Sequence, residues 1–162
     1  MADSLVKLLF PNQNCHVQSV RLTDSWQQMK ASLEAPAPVL RMLGELAAAA
    51  ALMASGLKFE GALVLQIVGD GPVKLALVEV RSGLKIRATV QMRAGMEVPL
   101  NATFKDMVTA NGKGRCAAIL DLADRRPNED PYQGVVPLTG NTVAETLEGF
   151  MTMSEQLPTR MW

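Results

Sequence analysis

Three side chains stand out as able to hold a metal or attack a carbonyl: Cys15, His16 and Cys116. A structural zinc takes four such ligands, usually with cysteines drawn from closely spaced pairs. Cys15 and Cys116 form no CxxC or CxC pair, and a single histidine cannot complete a His-rich set. Cys116 stands mid-strand beside Ala117, Ala118 and Ile119, a setting that predicts a buried, inert thiol. His16 is expected to be structural or solvent-exposed. Gly69-Asp70-Gly71 matches the opening of a dinucleotide fingerprint, but Lys74 occupies the place of the third glycine. A strand also follows where that fingerprint needs a helix. Asn111-Gly112-Lys113-Gly114 lacks the spacing of a phosphate loop. Both stretches read as turns, and in the first glycine supplies a positive φ. No spacing of carboxylates singles out an acid–base pair. The expectation is a non-enzyme, with no cofactor or metal assigned to this chain.

The elements around these residues alternate between the two regular periods. Residues 5–10 form an apolar opening strand, and 17–22 could continue it after the Pro11-Asn12-Gln13-Asn14 break. A helix then starts near Thr23-Asp24-Ser25, with Gln27 and Gln28 placed to answer Asp24 and Ser25. Trp26, Met29 and Leu33 fall on one helical face. Pro36 and Pro38 end that helix and open an alanine-rich one, for which Gly56 is the expected left-handed stop. From Leu57 to Ile67 the pattern becomes period two, turning at Gly69-Asp70-Gly71-Pro72 into strands over 73–80 and 84–90. These three strands read as an antiparallel meander. A short helix over 103–108, a strand over 115–122, an exposed loop over 123–131 and a strand over 132–138 follow. Thr142 and Glu145 then make a capping box for a last helix with Val143, Leu147, Phe150 and Met151 on its apolar side. The class is α+β: antiparallel β-meander sheets packed with helices, in a single domain over 1–162.

Composition narrows the partners. Sixteen basic and sixteen acidic residues cancel, which argues against nucleic acid. Zero net charge also removes one guard against self-association, compatible with an oligomer. Sparse cysteine suits a reducing cytoplasm. The start carries an acid at Asp3 and lacks the basic region and cleavage site of a signal peptide. The most apolar stretch, residues 46–57, is twelve residues long against the roughly 20 of a membrane span. A buried helix, and no membrane, is the reading.

Two features favour binding of other polypeptides. Ten methionines in 162 residues is high, and their flexible thioethers fit varied apolar partners; ordinary core filling explains them equally. The meander also carries a flat apolar face, which packing against the alanine-rich helix would explain as well. On these grounds Phe59, Leu63 and Leu65 of the long strand, with Met151 and Met153 of the last helix, are the candidate polypeptide-binding residues.

Several blocks together resemble the heat-shock protein 33 family of redox-regulated holdase chaperones. They are Leu57-Lys58-Phe59-Glu60-Gly61 running on through Leu65-Gln66-Ile67-Val68-Gly69-Asp70-Gly71-Pro72, then Tyr132-Gln133-Gly134-Val135-Val136, then Ser154-Glu155-Gln156-Leu157-Pro158-Thr159-Arg160. The resemblance implies an α+β client-binding domain that is cytoplasmic and stops unfolding proteins from aggregating without ATP, under oxidative or heat stress. It also implies a domain-swapped homodimer, with Leu157, Pro158, Thr159 and Arg160 opening the crossing segment. Family members carry zinc on four cysteines of a C-terminal redox domain. Neither Cys15 nor Cys116 matches those motifs, and the chain reaches Trp162 ahead of that domain. It is therefore read as an incomplete client-binding domain, with a naturally short relative as the other reading. Two competing functions remain: a small-molecule-binding or enzymatic domain using residues 57–72, and an interaction domain for one dedicated partner.

Overall fold

Alternating apolar residues give most of the strands, and one alanine-rich helix gives the cover that buries them. The computed structural model describes residues 2–58 and 60–162. In chain order these form β1 (Ser4–Phe10), β2 (Cys15–Arg21), α1 (Asp24–Ala31), α2 (Ala37–Ser55), β3 (Gly61–Val68), β4 (Val73–Arg81) and β5 (Lys85–Met92). There follow α3 (Phe104–Val108), β6 (Arg115–Leu122), β7 (Tyr132–Pro137) and α4 (Val143–Met153). Strands β1 and β2 make a separate two-stranded sheet, so residues 17–21 turn back on β1 instead of extending it. The other five form one antiparallel sheet in the order β5-β4-β3-β6-β7. The expected meander is its β3-β4-β5 part. What local pattern could not place is β6, which returns to the free side of β3 and pairs with it from Gly61↔Leu122 to Val68↔Arg115.

Helix α2 sets which side of the sheet is inside. It runs 19 residues between the expected limits of Pro36 and Gly56, and is apolar enough by length and composition to cross a bilayer. Here, however, Val39, Leu43, Leu46 and Ala50 are fully buried in a core shared with Leu65, Ile67, Val78 and Val80 of the sheet. Proline opens it as expected, but Gly56 closes it in a right-handed conformation at φ −82°. The carbonyls of Met53 and Ala54 are met by the N–H groups of Gly56 and Leu57, so no left-handed residue is needed.

Helix α1 is also capped differently from expectation. Thr23 makes no side-chain cap. The Asp3 carboxylate does so from outside, accepting from the backbone N–H of Thr23 at 2.6 Å, Asp24 at 2.9 Å and Ser25 at 3.1 Å. Negative charge at a helix N-terminus is favourable, and the same contacts, led by the Ser25 hydroxyl, hold the Asp3 carboxyl below its usual range. Thr142 caps α4 through the Glu145 N–H at 3.1 Å, while Glu145 answers the N–H of Asn141, one residue before the expected partner.

Candidate functional site

Because side chains alternate across a strand, the five-stranded sheet has a second face away from α2. The register assigns that face to Val64 and Gln66 of β3, Leu75, Leu77 and Glu79 of β4, Ala117 and Ile119 of β6, and Val135 of β7. Val64, Leu75, Leu77 and Ile119 are partly exposed and stand outside the core cluster, and Val135 is 49% exposed. Opposite Arg87 of β5, the same face carries Glu79, itself largely buried. Its carboxylate takes the Arg81 Nε–H and the Arg87 Nη2–H, and these bonds, Arg81's first, hold it below the usual carboxylate range. Two guanidiniums on one carboxylate leave a charge of +1 at the margin of a strip that is mostly apolar.

Leu63 and Leu65, two of the sequence-derived candidates, lie on the opposite face and belong to the core. This is a correction of one residue in parity. The long strand puts its larger side chains under α2, so the available surface begins at Val64. Phe59 lies outside the described residues. On α4, Met151 is partly buried against the core and Met153 is 63% exposed. The segment of Leu157, Pro158, Thr159 and Arg160 turns back along α4: the Leu157 N–H reaches the Met151 carbonyl at 3.0 Å. Arg160 pairs with Glu148 at 3.4 Å, and Glu148 also accepts from the Met161 N–H.

The motif residues have structural roles that their spacing did not disclose. Gly69 and Gly71 do not adopt positive φ, contrary to the hairpin-turn expectation. They are needed because the chain runs too close for a side chain: a Cβ on Gly69 would sit 2.2 Å from the Val73 carbonyl, and one on Gly71 3.0 Å from that of Met107. Asp70 between them accepts from the N–H groups of Ala110, Asn111 and Lys113 at 2.8–3.1 Å, which hold its carboxyl down at about 2. Arg93 donates to the Gly69 and Gly71 carbonyls from the other side. The other two blocks meet in space. The Tyr132 hydroxyl donates to Glu155 at 2.8 Å, and a Cβ on Gly134 would strike the Phe150 ring and the Ser154 hydroxyl.

Reactive groups do not converge. Cys116 is buried in β6, and burial pushes its thiol up to about 12, as an inert core cysteine should behave. Cys15 and His16 are exposed on the hairpin. Among the described residues no three His, Cys, Asp or Glu side chains are grouped to hold a metal ion. An open cleft of about 310 Å³ lies between the hairpin root, the end of α2 and the β4–β5 turn. Leu5, Lys7, Leu57, Glu60, Leu63, Arg81 and Ser82 are among its lining. Its two serines are engaged elsewhere: the Ser55 hydroxyl bonds Gln18 and the Leu52 carbonyl, and the Ser82 hydroxyl donates to the Gly61 carbonyl.

Fold and surface thus define an α+β domain that presents apolar sheet to its surroundings. The family model described as Hsp33 protein matches residues 3–162, and the chain belongs to the Hsp33 family. It is 41% identical over 98% of its length to a 33 kDa chaperonin of Photobacterium profundum, and 42% identical over its full length to one of Methylobacillus flagellatus. It spans about half of these curated relatives, 51% and 53%. A crystal structure of the 33 kDa chaperonin, heat shock protein 33 homolog, of Thermotoga maritima superposes with a TM-score of 0.61 at 27% identity, covering 74% of this chain and 40% of that one. The superposition agrees with an α+β fold for this chain.

Proposed function

We propose that this chain is the client-binding part of a cytoplasmic, ATP-independent holdase that captures unfolded proteins under oxidative or heat stress. The observation that carries the reading is the uncovered apolar strip on the outer face of the five-stranded sheet, Val64, Leu75, Leu77, Ile119 and Val135. A holdase must accept many sequences, so it needs apolar area without fixed hydrogen-bond demands. Covering four or five large side chains gives about 1.5–3 kcal/mol each. Association costs about 4–15 kcal/mol, leaving room for micromolar, reversible binding.

The homodimer belongs to the same proposal, with Leu157, Pro158, Thr159 and Arg160 as the segment that reaches the partner. In the single chain this segment is held to α4 mainly through Glu148, contacts that a crossing segment could remake on a second copy. The family's zinc does not fit here. Cys15 is exposed on the hairpin and Cys116 is sealed in the core, so the two cannot share an ion, and no redox step is drawn through them.

The test is suppression of light scattering from a heat-unfolded client. The wild type is expected to suppress it, and Leu77→Lys with Val135→Lys to lose most of that effect while keeping the melting transition. No suppression by the wild type, or equal suppression by the double variant, contradicts the reading.

A further inference from the structure

We propose that the outer face of the five-stranded sheet selects client segments in which a short apolar run lies between acidic residues. This rests on the chaperone reading above and names the class of segment that the face holds. The register sorts the face into rows that cross the strands. Arg81 stands opposite Lys85 in the first row, and Arg87 opposite Glu79 in the second. The third row, with Leu77, Gln66, Ala117 and Val135, carries no charge. In the fourth, Arg115 stands opposite Val68. Positive charge therefore bounds the apolar strip at both ends.

The sixteen basic and sixteen acidic residues of the whole chain cancel, but those on this face do not. It carries Arg81, Lys85, Arg87 and Arg115 against Glu79 and Asp121. Both carboxylates are already engaged. Asp121 pairs with Arg125 at 2.9 Å, and Glu79 takes one N–H from each of Arg81 and Arg87. A guanidinium has five N–H groups, so both arginines keep donors for a carboxylate that arrives from solvent. Their side chains are 66% and 68% exposed. Arg115, also exposed, donates to the Lys113 and Gly114 carbonyls and has no carboxylate partner among the described residues.

Spacing and charge together define the occupant. Rows recur at every second residue, so the first and fourth stand roughly 20 Å apart, the length of about six extended residues. A segment laid along the strands, as a second sheet layer would lie, covers the apolar middle and brings its two ends to the cations. Charges at the margin of an interface act on encounter and on choice of partner, while the apolar contact holds. A second copy placed face to face would bring the same positive excess and be repelled. A nucleic acid would leave the apolar row unused. A bilayer needs apolar groups that stand out from the surface, whereas Val64, Leu77 and Ile119 are only partly exposed.

The experiment titrates the 162-residue chain into fluorescent peptides with a core of six alternating valines and alanines. Two glutamates, two glutamines or two lysines flank the core at each end. At low salt the glutamate peptide is expected to bind several-fold more tightly than the glutamine peptide and at least tenfold more tightly than the lysine one. Salt at about 0.5 M should shrink that preference. Arg115→Gln with Lys85→Gln should cut the glutamate-to-lysine ratio at least threefold, and Lys30→Gln on α1 should leave it unchanged. Binding of the glutamate and lysine peptides within twofold of each other, or an equal loss in Lys30→Gln, overturns the proposal. So does tighter binding to phosphatidylglycerol vesicles than to the glutamate peptide, which would make the face a membrane contact. If the charge preference is absent while the wild type still suppresses client aggregation, only the selection by charge falls. If suppression is absent as well, the chaperone reading falls with it.

Discussion

Strands β1 and β3 have similar apolar content and opposite fates. In β1, Leu9 is 77% exposed and Val6, Leu8 and Phe10 are open to solvent; in β3, Leu65 is fully buried. The difference is layering. Strand β3 sits mid-sheet under α2 with partners on both sides, whereas β1 has one strand beside it and touches the body along one face. Apolar composition decides that surface must be covered, but neighbours decide whether it is. Under the proposed function, apolar strand left uncovered is surface available to a client.

Substitutions should separate the two regions sharply. Leu65→Ala opens a cavity in the close-packed core and is expected to cost about 2–5 kcal/mol, lowering Tm by roughly 5–15 °C in a thermal scan. Asp70→Asn comes next. Its folded carboxyl is held at about 2 against an ordinary 3.8, so its stabilising contribution is complete above the unfolded value and disappears as pH falls through the folded one. The variant should be less stable than wild type at pH 7 by urea titration, and the gap should close between pH 4 and 2. Asp3→Ala should act locally: amide exchange over residues 4–10 and 23–26 should quicken while β3 stays protected. Leu9→Ser is expected to change stability within about 0.5 kcal/mol, because the side chain is already in water. A large loss there would mean that the hairpin tip is covered.

Where the fold could be read ahead, the reason was local. Period two in β3, β4 and β5, the alanine run of α2, and the Thr142 cap are all written within a few residues. The placement of β6 beside β3 and the capping of α1 by Asp3 join residues far apart in sequence, and no short pattern encodes them. Gly69 and Gly71 were traced to backbone conformation when their cause is close approach to 73 and 107–109. Leu63 and Leu65 are not on the open face, since they are the larger side chains and therefore the ones that α2 buries. The usable signal was in β4 and β6, where Leu75 and Leu77 alternate with Ala76 and Val78, and Ile119 follows Ala118. A strand apolar on both faces asks for cover on both, and the structure supplies it on one.

The most direct test places the photo-crosslinker p-benzoylphenylalanine at Val135 on the outer sheet face and, in a separate protein, at Lys30 on α1. Each is irradiated with an unfolded client and with the same client folded. Adducts from position 135 with the unfolded client alone, and few from position 30, are the predicted result. Equal labelling from both positions, or none at 135 while aggregation is still suppressed, would contradict the outer sheet as the surface that holds clients.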